Sequence, residues 1–478
     1  MSTVVTLATA AERPNIVFII ADDTGYGDIS AHGNPILKTP HLDRLHQGAV
    51  RFTDFHVSPT CAPTRSALMT GRHEFKNGVT HTILERERLT LNSVTVAEVL
   101  KTQGYTNGIF GKWHLGDEPD HWPTKRGFDE MFIHGAGGIG QTYAGSCGDA
   151  PGNKYFDPAI LHNGVFEKTK GFCTDIFTNQ AIKWMESVKG KQPFFCYIPY
   201  NAAHDPVSCP PKYKKPYENR VDDHLATFFG MIANIDENVG KVMDKLDEWG
   251  LTNDTLVIYM NDNGGHPPSA KIFNAGLRGT KNTPWEGGTR AASFWRWPGH
   301  IVPRDVSVLS SNIDFFPTLA ELTGATLSEK AKAQIEGRSL APFLMGKEIP
   351  WPDRNIVTHI GRWPKGADVD LYKYRGCSIR RGTWHMVSPG TERDKNGAQA
   401  SWQLFDLKSD PGEQHNVAAE QPEVIAKLNA EYNLWWTSIK PMLINENAKG
   451  PAVNPFKELY WKQFGGFPKT KQETAPKS

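Results

Sequence analysis

The sequence predicts an α/β fold: a large, mostly parallel sheet flanked by helices, followed by a smaller C-terminal α+β domain with an antiparallel sheet and a helix. Three observations carry this reading. Up to about residue 349, short apolar runs rich in Val, Ile, Phe and Tyr alternate with amphipathic segments of helical period. Beyond that point the runs become short and closely spaced, and one long amphipathic segment follows them. The chain has 478 residues, more than a single average domain and enough to bury a large core.

The elements follow in order. NIVFIIA (15–21) reads as a buried strand. TCAPTRSALMTGR (60–72) reads as a helix start, because proline suits a first turn and good helix formers follow; Cys61 then lies at or just before the helix N-terminus, with Arg65 one turn in. SVTVAEVLKTQG (93–104) is helical and YTNGIFG (105–111) a strand; FTNQAIKWMESVKG (177–190) is helical and PFFCYIPY (193–200) a strand. FFGMIANIDENVGKVMDKLDEWG (228–250) is a long helix stopped by Gly250, and TLVIYM (255–260) a further strand. In the C-terminal part IVTHIGRWP, YKYRGCSIRRGTWHMVS and SWQLFDL read as antiparallel strands, and EVIAKLNAEYNLWWTSI as the closing helix. The expected division is an N-terminal segment 1–13, a catalytic domain 14–349, a smaller domain 350–465 and a polar, frayed tail 466–478.

Bulk composition removes some function classes. Lys plus Arg is 53 against 52 Asp plus Glu, a net charge of +1, so no long-range field favours nucleic acid. No window approaches the roughly 18 apolar residues of a membrane span. The six cysteines, at 61, 147, 173, 196, 209 and 377, contain no CxxC pair and make no disulfide scaffold. Pairing among Cys147, Cys173 and Cys209 is left open. Residues 1–13 leave a cytoplasmic N-terminus and a trimmed export signal (periplasmic or secreted) equally open.

Ligands of open α/β sheets bind beyond the C-terminal ends of the strands. There the sequence places Asp22 and Asp23, Asp262 and Asn263, Lys112 and His114, and His204. The carboxylates and amide form an all-oxygen set suited to a hard cation, Ca²⁺ or Mg²⁺. Adjacent carboxylates repel unless a cation neutralises them. Lys281 sits within the glycine-rich GLRGTKNTPWEGGTR (276–290). With Cys61, Arg65, Lys112, Lys281 and two histidines, the inventory fits hydrolysis of a tetrahedral oxyanion ester.

CAPTRSALMTG resembles the sulfatase signature, Cys-x-Pro-Ser/Thr-Arg. PNIVFIIADDTGYGD, GKWHLG, NDNGG and LRGTKNTPWEGGTR resemble further motifs of that family in its order, and FDLKSDPGEQHNVA its usual C-terminal segment. Thr64 stands where serine is commoner. The resemblance runs from about 14 to 420 and implies an alkaline-phosphatase-like fold. It implies conversion of Cys61 to Cα-formylglycine by a maturation enzyme, and a cation, Ca²⁺ or Mg²⁺, held by Asp22, Asp23, Asp262, Asn263 and residue 61. It further implies that Arg65 and Lys112 stabilise the hydrated aldehyde and that His114 is the base driving sulfate elimination. His204 and Lys281 grip the sulfate, with His204 as general acid; Ala203 precedes it where the family often has proline.

The implied activity is cleavage of an aryl or carbohydrate O-sulfate, with a lean to sulfated sugar. Trp285, Glu286 and Arg290 read as scaffold for the Lys281 loop. His73, His81, His134, Gln141, His266, Arg362 and His385 are pocket candidates, and 135–156 is a loop for shaping specificity. Rival readings are a phosphate or phosphonate monoester hydrolase of the same superfamily, a thiol enzyme using Cys61 directly, and a non-catalytic binding protein that keeps the fold.

Overall fold

Alternation within the first strand sets the architecture. Ile16, Phe18 and Ile20 point into one apolar layer and Val17, Ile19 and Ala21 into the other, all fully buried. A strand covered on both faces belongs to a sheet with helices on each side. The computed structural model describes residues 13–141, 143–390 and 400–467. The expectations for residues 1–12 and for the tail from 468 onward fall outside these.

Ten strands make the large sheet: β1 (Asn15–Ala21), β2 (Val50–Phe52), β3 (Thr106–Lys112), β4 (Glu130–His134), β5 (Ala159–His162), β6 (Val165–Lys168), β7 (Phe194–Pro199), β8 (Thr255–Asn261), β9 (Ser293–Arg296) and β10 (Arg304–Val306). Their order is β10-β2-β9-β8-β1-β7-β3-β4-β5-β6. The central run β8-β1-β7-β3-β4 is parallel throughout. The antiparallel pairings lie outside it, where β9 joins β8 and β2 and where β5 and β6 form a hairpin beside β4. The four strands read from sequence are β1, β3, β7 and β8, the inner ones. The short flanking strands lack long apolar runs and gave no comparable signal.

Helices Cys61–Thr70, Val96–Thr102 and Phe315–Leu322 cover one face, and Pro40–Gln47, Cys173–Val188 and Asp223–Glu248 the other. Helix Val96–Thr102 starts with a reciprocal cap: Thr95 Oγ1 accepts from the Glu98 N–H and Glu98 Oε2 from the Thr95 N–H. Asp222 caps the long helix through the Leu225 N–H at 2.8 Å, and Gly250 follows its end at φ +70°.

The C-terminal part forms a four-stranded antiparallel sheet, β11 (Ile356–His359), β12 (Cys377–Arg381), β13 (Trp384–Ser388) and β14 (Gln403–Asp406). Helix Pro422–Ile439 packs Leu428 and Tyr432 on it. A further helix, Pro455–Phe464, was not read from sequence. It returns to the large sheet, where Phe456 meets Phe166 edge-on at 5.8 Å and Gln463 exchanges two hydrogen bonds with the Phe166 backbone. It thereby covers the open edge of β6. All six cysteines are free thiols, including Cys147, Cys173 and Cys209.

The small sheet grips the segment that carries Lys281. Trp285 packs against Val387, Phe405 and Leu407, and the Arg278 guanidinium lies 3.7 Å over its ring. Buried Glu413 accepts from the Glu286 N–H at 3.0 Å and from His385 Nδ1 at 2.7 Å. Glu286 and Arg290 pair at 2.6 Å, and Arg380 from β12 reaches Asp54 at 3.3 Å. Glu413→Ala strands a backbone donor and an imidazole in this buried network. It is expected to cost about 3–5 kcal/mol of stability, measurable by urea unfolding.

Candidate active site

Parallel pairing brings the ends of β1, β3, β7 and β8 to one edge. Main-chain bonds then join the loops that leave them. The Asp22 N–H donates to Ala202 O at 2.9 Å, the Ala203 N–H to Asp22 O at 2.7 Å, and the Asp262 N–H to Ala21 O at 3.1 Å. The Asp23 and Asp262 loops meet at two glycines: a Cβ on Gly25 would lie 2.7 Å from Gly265 Cα, so neither position admits a side chain without moving the other.

This edge carries a buried charge cluster. Asp22, Asp262 and Asn263 are fully buried and Asp23 nearly so. Arg65 donates to Asp262 Oδ2 at 2.9 Å, to Asp22 Oδ2 at 3.4 Å and to Lys112 O at 3.3 Å. The Lys112 ammonium donates to Asp22 Oδ2. Lys281 Nζ donates to Asp23 Oδ2 at 2.6 Å, and Asn263 Nδ2 to Asp23 Oδ1 at 3.0 Å. Burial opposes ionisation of Asp23, but Lys281, His204 and Lys112 outweigh it and hold that carboxyl well below the usual range. Burial and then the Asp22 charge push Asp262 up to about 7, against Arg65 and Lys112.

Above the cluster lies a cavity of about 410 Å³, lined in part by Cys61, His114, His204 and Lys281. Cys61 is the first residue of helix Cys61–Thr70, after extended Thr60. In this first turn Pro63 has no N–H, and the Thr64 N–H donates to Thr60 O at 3.2 Å. Burial pushes its thiol up, with Lys112 opposing. Arg65 and Lys112 do not line the cavity; they lie beneath residue 61, engaged with Asp22 and Asp262.

The two histidines differ in tautomer. His114 Nε2 donates to Thr82 O at 2.9 Å, which leaves Nδ1 as a buried lone pair with no hydrogen-bond partner. Burial, then Lys112, holds His114 neutral, its pKa well below normal. His204 Nδ1 donates to Asp205 O at 2.7 Å, so Nε2 is the nitrogen facing Asp23, 3.8 Å from its Oδ2. Burial and then Lys281 lower the His204 pKa, opposed by Asp23. The Tyr155 hydroxyl, donating to His204 O at 2.7 Å, braces this loop. The 135–156 loop touches both rings: a Cβ on Gly137 would lie 2.8 Å from His114 Cε1, and one on Gly138 2.9 Å from His204 Nδ1.

All ten residues assigned from sequence meet at this edge: Asp22, Asp23, Cys61, Arg65, Lys112, His114, His204, Asp262, Asn263 and Lys281. Of the pocket candidates, His81, Gln141 and Arg362 line the cavity. The other four do not. His73 packs on Trp435, His134 lies buried 3.8 Å from Asp149, His266 Nε2 meets His224 Nε2 at 2.9 Å, and His385 belongs to the Glu413 network. Each is packed among neighbours that sequence spacing does not disclose. Sequence reasoning missed Thr82, Tyr143 and Asn282 as lining residues. Their adjacency to His81, Gln141 and Lys281 was the available signal.

The chain matches the family model described as Sulfatase over residues 14–325, and that described as N-sulphoglucosamine sulphohydrolase, C-terminal, over residues 281–434. It is 32% identical to arylsulfatase A of Homo sapiens, covering 87% of each chain. It is 28% identical to N-acetylgalactosamine-6-O-sulfatase of Bacteroides thetaiotaomicron, covering 88% of this chain and 92% of that one. Among solved structures, Ps i-CgsB in complex with k-i-k-neocarrahexaose superposes with a TM-score of 0.78 at 27% identity, covering 96% of this chain and 98% of that chain.

Proposed function

Because the chain belongs to the sulfatase family and is a sulfuric ester hydrolase, we propose that it cleaves the O-sulfate of a carbohydrate using residue 61 in its formylglycine form and a divalent cation. The observation that carries this reading is the position of Cys61. It sits in a cavity between a free His114 lone pair, His204 and Lys281, directly over the acidic cluster.

The residues present suit a hard cation. Asp22 Oδ1 and Asn263 Oδ1 are buried oxygens without a hydrogen-bond partner, and three carboxylates crowd beside them. Asp22, Asp23, Asp262, Asn263 and residue 61 would hold Ca²⁺, with Mg²⁺ as the alternative; the ion would supply positive charge for the sulfate oxygens and for the nucleophile. Formylglycine at position 61, installed by a maturation enzyme, would supply a geminal pair of hydroxyls, one to attack sulfur and one to be deprotonated for sulfate release.

The protein's own side chains do the rest. Lys281 Nζ neutralises charge on the sulfate and the departing oxygen, and His204, as the imidazolium facing Asp23, delivers its Nε2 proton to that oxygen and is left neutral with Nδ1–H on Asp205 O. His114 Nδ1 accepts the proton whose loss releases sulfate. Arg65 and Lys112 hold the charge beneath residue 61. A direct thiolate nucleophile is disfavoured, since burial keeps the Cys61 thiol protonated.

Two measurements test the cofactor assignments. Peptide mass spectrometry of active protein is expected to show residue 61 lighter by the difference between a thiol and an aldehyde; fully active protein with an intact thiol would refute the assignment. Chelation is expected to abolish turnover and lower the melting temperature, with Ca²⁺ restoring both. The carbohydrate preference rests on the N-acetylgalactosamine-6-O-sulfatase relative and the neocarrahexaose-bound neighbour. A desulfation screen across sugar sulfates, aryl sulfates and matched phosphate esters tests it. Preferential phosphate release would transfer the chain to the phosphate or phosphonate hydrolase reading.

A further inference from the structure

The cavity extends past the sulfate-handling residues to a wall made by two distant segments. One is His81-Thr82-Ile83, and the other is Arg362, which comes from the turn after β11 in the C-terminal part. None of the described residues lining the cavity is Asp or Glu, while Arg362 and Lys281 both are cationic. His81 Nδ1 accepts from the Thr82 and Ile83 N–H groups at 2.8 and 3.2 Å, so the neutral ring keeps its proton on Nε2, as a donor. The wall thus offers donors and positive charge.

Arg362 is held there at a conformational cost. Its φ is +61°, in the left-handed region that non-glycine residues avoid. Asp23, His114 and Asn282, at +57°, +57° and +65°, share that property beside the cavity, as do seven further described residues outside the site. Arg362 is fixed by its N–H to Thr80 O at 3.3 Å, by its Nη2 to Thr82 Oγ1 at 3.0 Å, and by the buried indole of Trp363 next to it. Such strain persists where the surroundings enforce it, and here they aim a guanidinium at the wall opposite the ester-cleaving groups.

We propose that Arg362 and His81 form a subsite for a second anionic group, a carboxylate or a second sulfate, carried by the alcohol that leaves. The enzyme's substrate class is therefore a sulfated, acidic sugar rather than a singly charged one, with half-exposed Tyr143 at the cavity as a face for the ring. The inference rests on sulfate-ester hydrolysis by this site.

The test uses full-length protein with conversion of residue 61 verified by mass. The probes are phenyl sulfates bearing a carboxylate or a sulfonate at ring position 3 or 4, each paired with its neutral methyl ester or methyl sulfone. The wild type is expected to prefer the anionic member of at least one pair by about tenfold in kcat/KM, the worth of one charge-assisted hydrogen bond, and less at high salt. The carboxylate and sulfonate arms identify which anion fits. Arg362→Gln is expected to bring the ratio towards one and Arg362→Lys to restore part of it. Because both members of a pair are measured on the same variant, losses of folding or of conversion cancel in the ratio. A wild-type ratio near one in every pair, or a ratio unchanged by Arg362→Gln, overturns the subsite while leaving sulfatase activity standing. Hydrolysis of none of the probes would instead strike at the hydrolytic reading itself.

Discussion

Lys112→Ala is expected to lower kcat/KM by about a thousandfold, the scale of a lost preorganised charge in a water-poor site. Lys112 is fully buried, and its ammonium donates to Asp22 beneath residue 61. Three carboxylates, Asp22, Asp23 and Asp262, face three cations there, Arg65, Lys112 and Lys281. Removing one cation leaves a buried carboxylate under-compensated, which costs about 3–5 kcal/mol when one partner of a buried pair is deleted. Lys112→Ala is therefore expected to lose stability as well as rate, read by chemical unfolding beside steady-state kinetics. Added Ca²⁺ should recover stability more than rate, because a bound cation replaces charge without replacing the ammonium's position. A variant with wild-type kcat/KM would remove Lys112 from the catalytic machinery.

His204→Ala is expected to reduce turnover of a sugar sulfate by about a hundred- to ten-thousandfold, the range for a lost general acid. Its effect on 4-nitrophenyl sulfate should be much smaller, since nitrophenolate leaves without protonation. The geometry explains the split. His204 Nδ1 is committed to Asp205 O, so only Nε2 is available to a leaving group. His114→Ala should behave differently, slowing both substrates alike, because the role proposed for its free Nδ1 is in sulfate release, which follows whatever alcohol has departed. Equal losses on both substrates for His204→Ala would reassign it from proton donor to sulfate binder.

The parts of this fold that could be read from sequence are those whose side chains face one environment. The four inner strands are buried on both sides and centre on apolar runs, the shortest being Ile109-Phe110 in β3, so β1, β3, β7 and β8 were legible. Strands β2, β9 and β10 are short and take their pairing from neighbours distant in sequence, which local pattern does not encode, and the β5–β6 hairpin joins two four-residue strands without a long apolar run. Helix Pro455–Phe464 buries little beyond Phe456 and lacks a clear apolar face. That the ten candidate residues would meet was legible because chemistry-bearing types at strand ends gather at one edge in a parallel sheet, and because motif order reinforced that rule. The lining of the leaving-group space was legible in part, through His81, Gln141 and Arg362. His81 and Arg362 come together from segments far apart in the chain, while His266 and His385, equally suggestive as letters, are taken by His224 and Glu413.

The grip of the small sheet on the segment from Arg278 to Arg290 bears on how such enzymes can be rebuilt. A hybrid that joined residues 1–349 to the C-terminal part of another family member would keep all ten residues that meet at the strand edge. It would nevertheless inherit a foreign seat for Trp285 and a foreign partner for the Glu286 amide, both supplied here by β13, β14 and Glu413. The lysine five residues before that amide would then drift relative to residue 61. Recombination between relatives should accordingly succeed when the crossover carries residues 276–290 together with 377–413, and fail when it separates them.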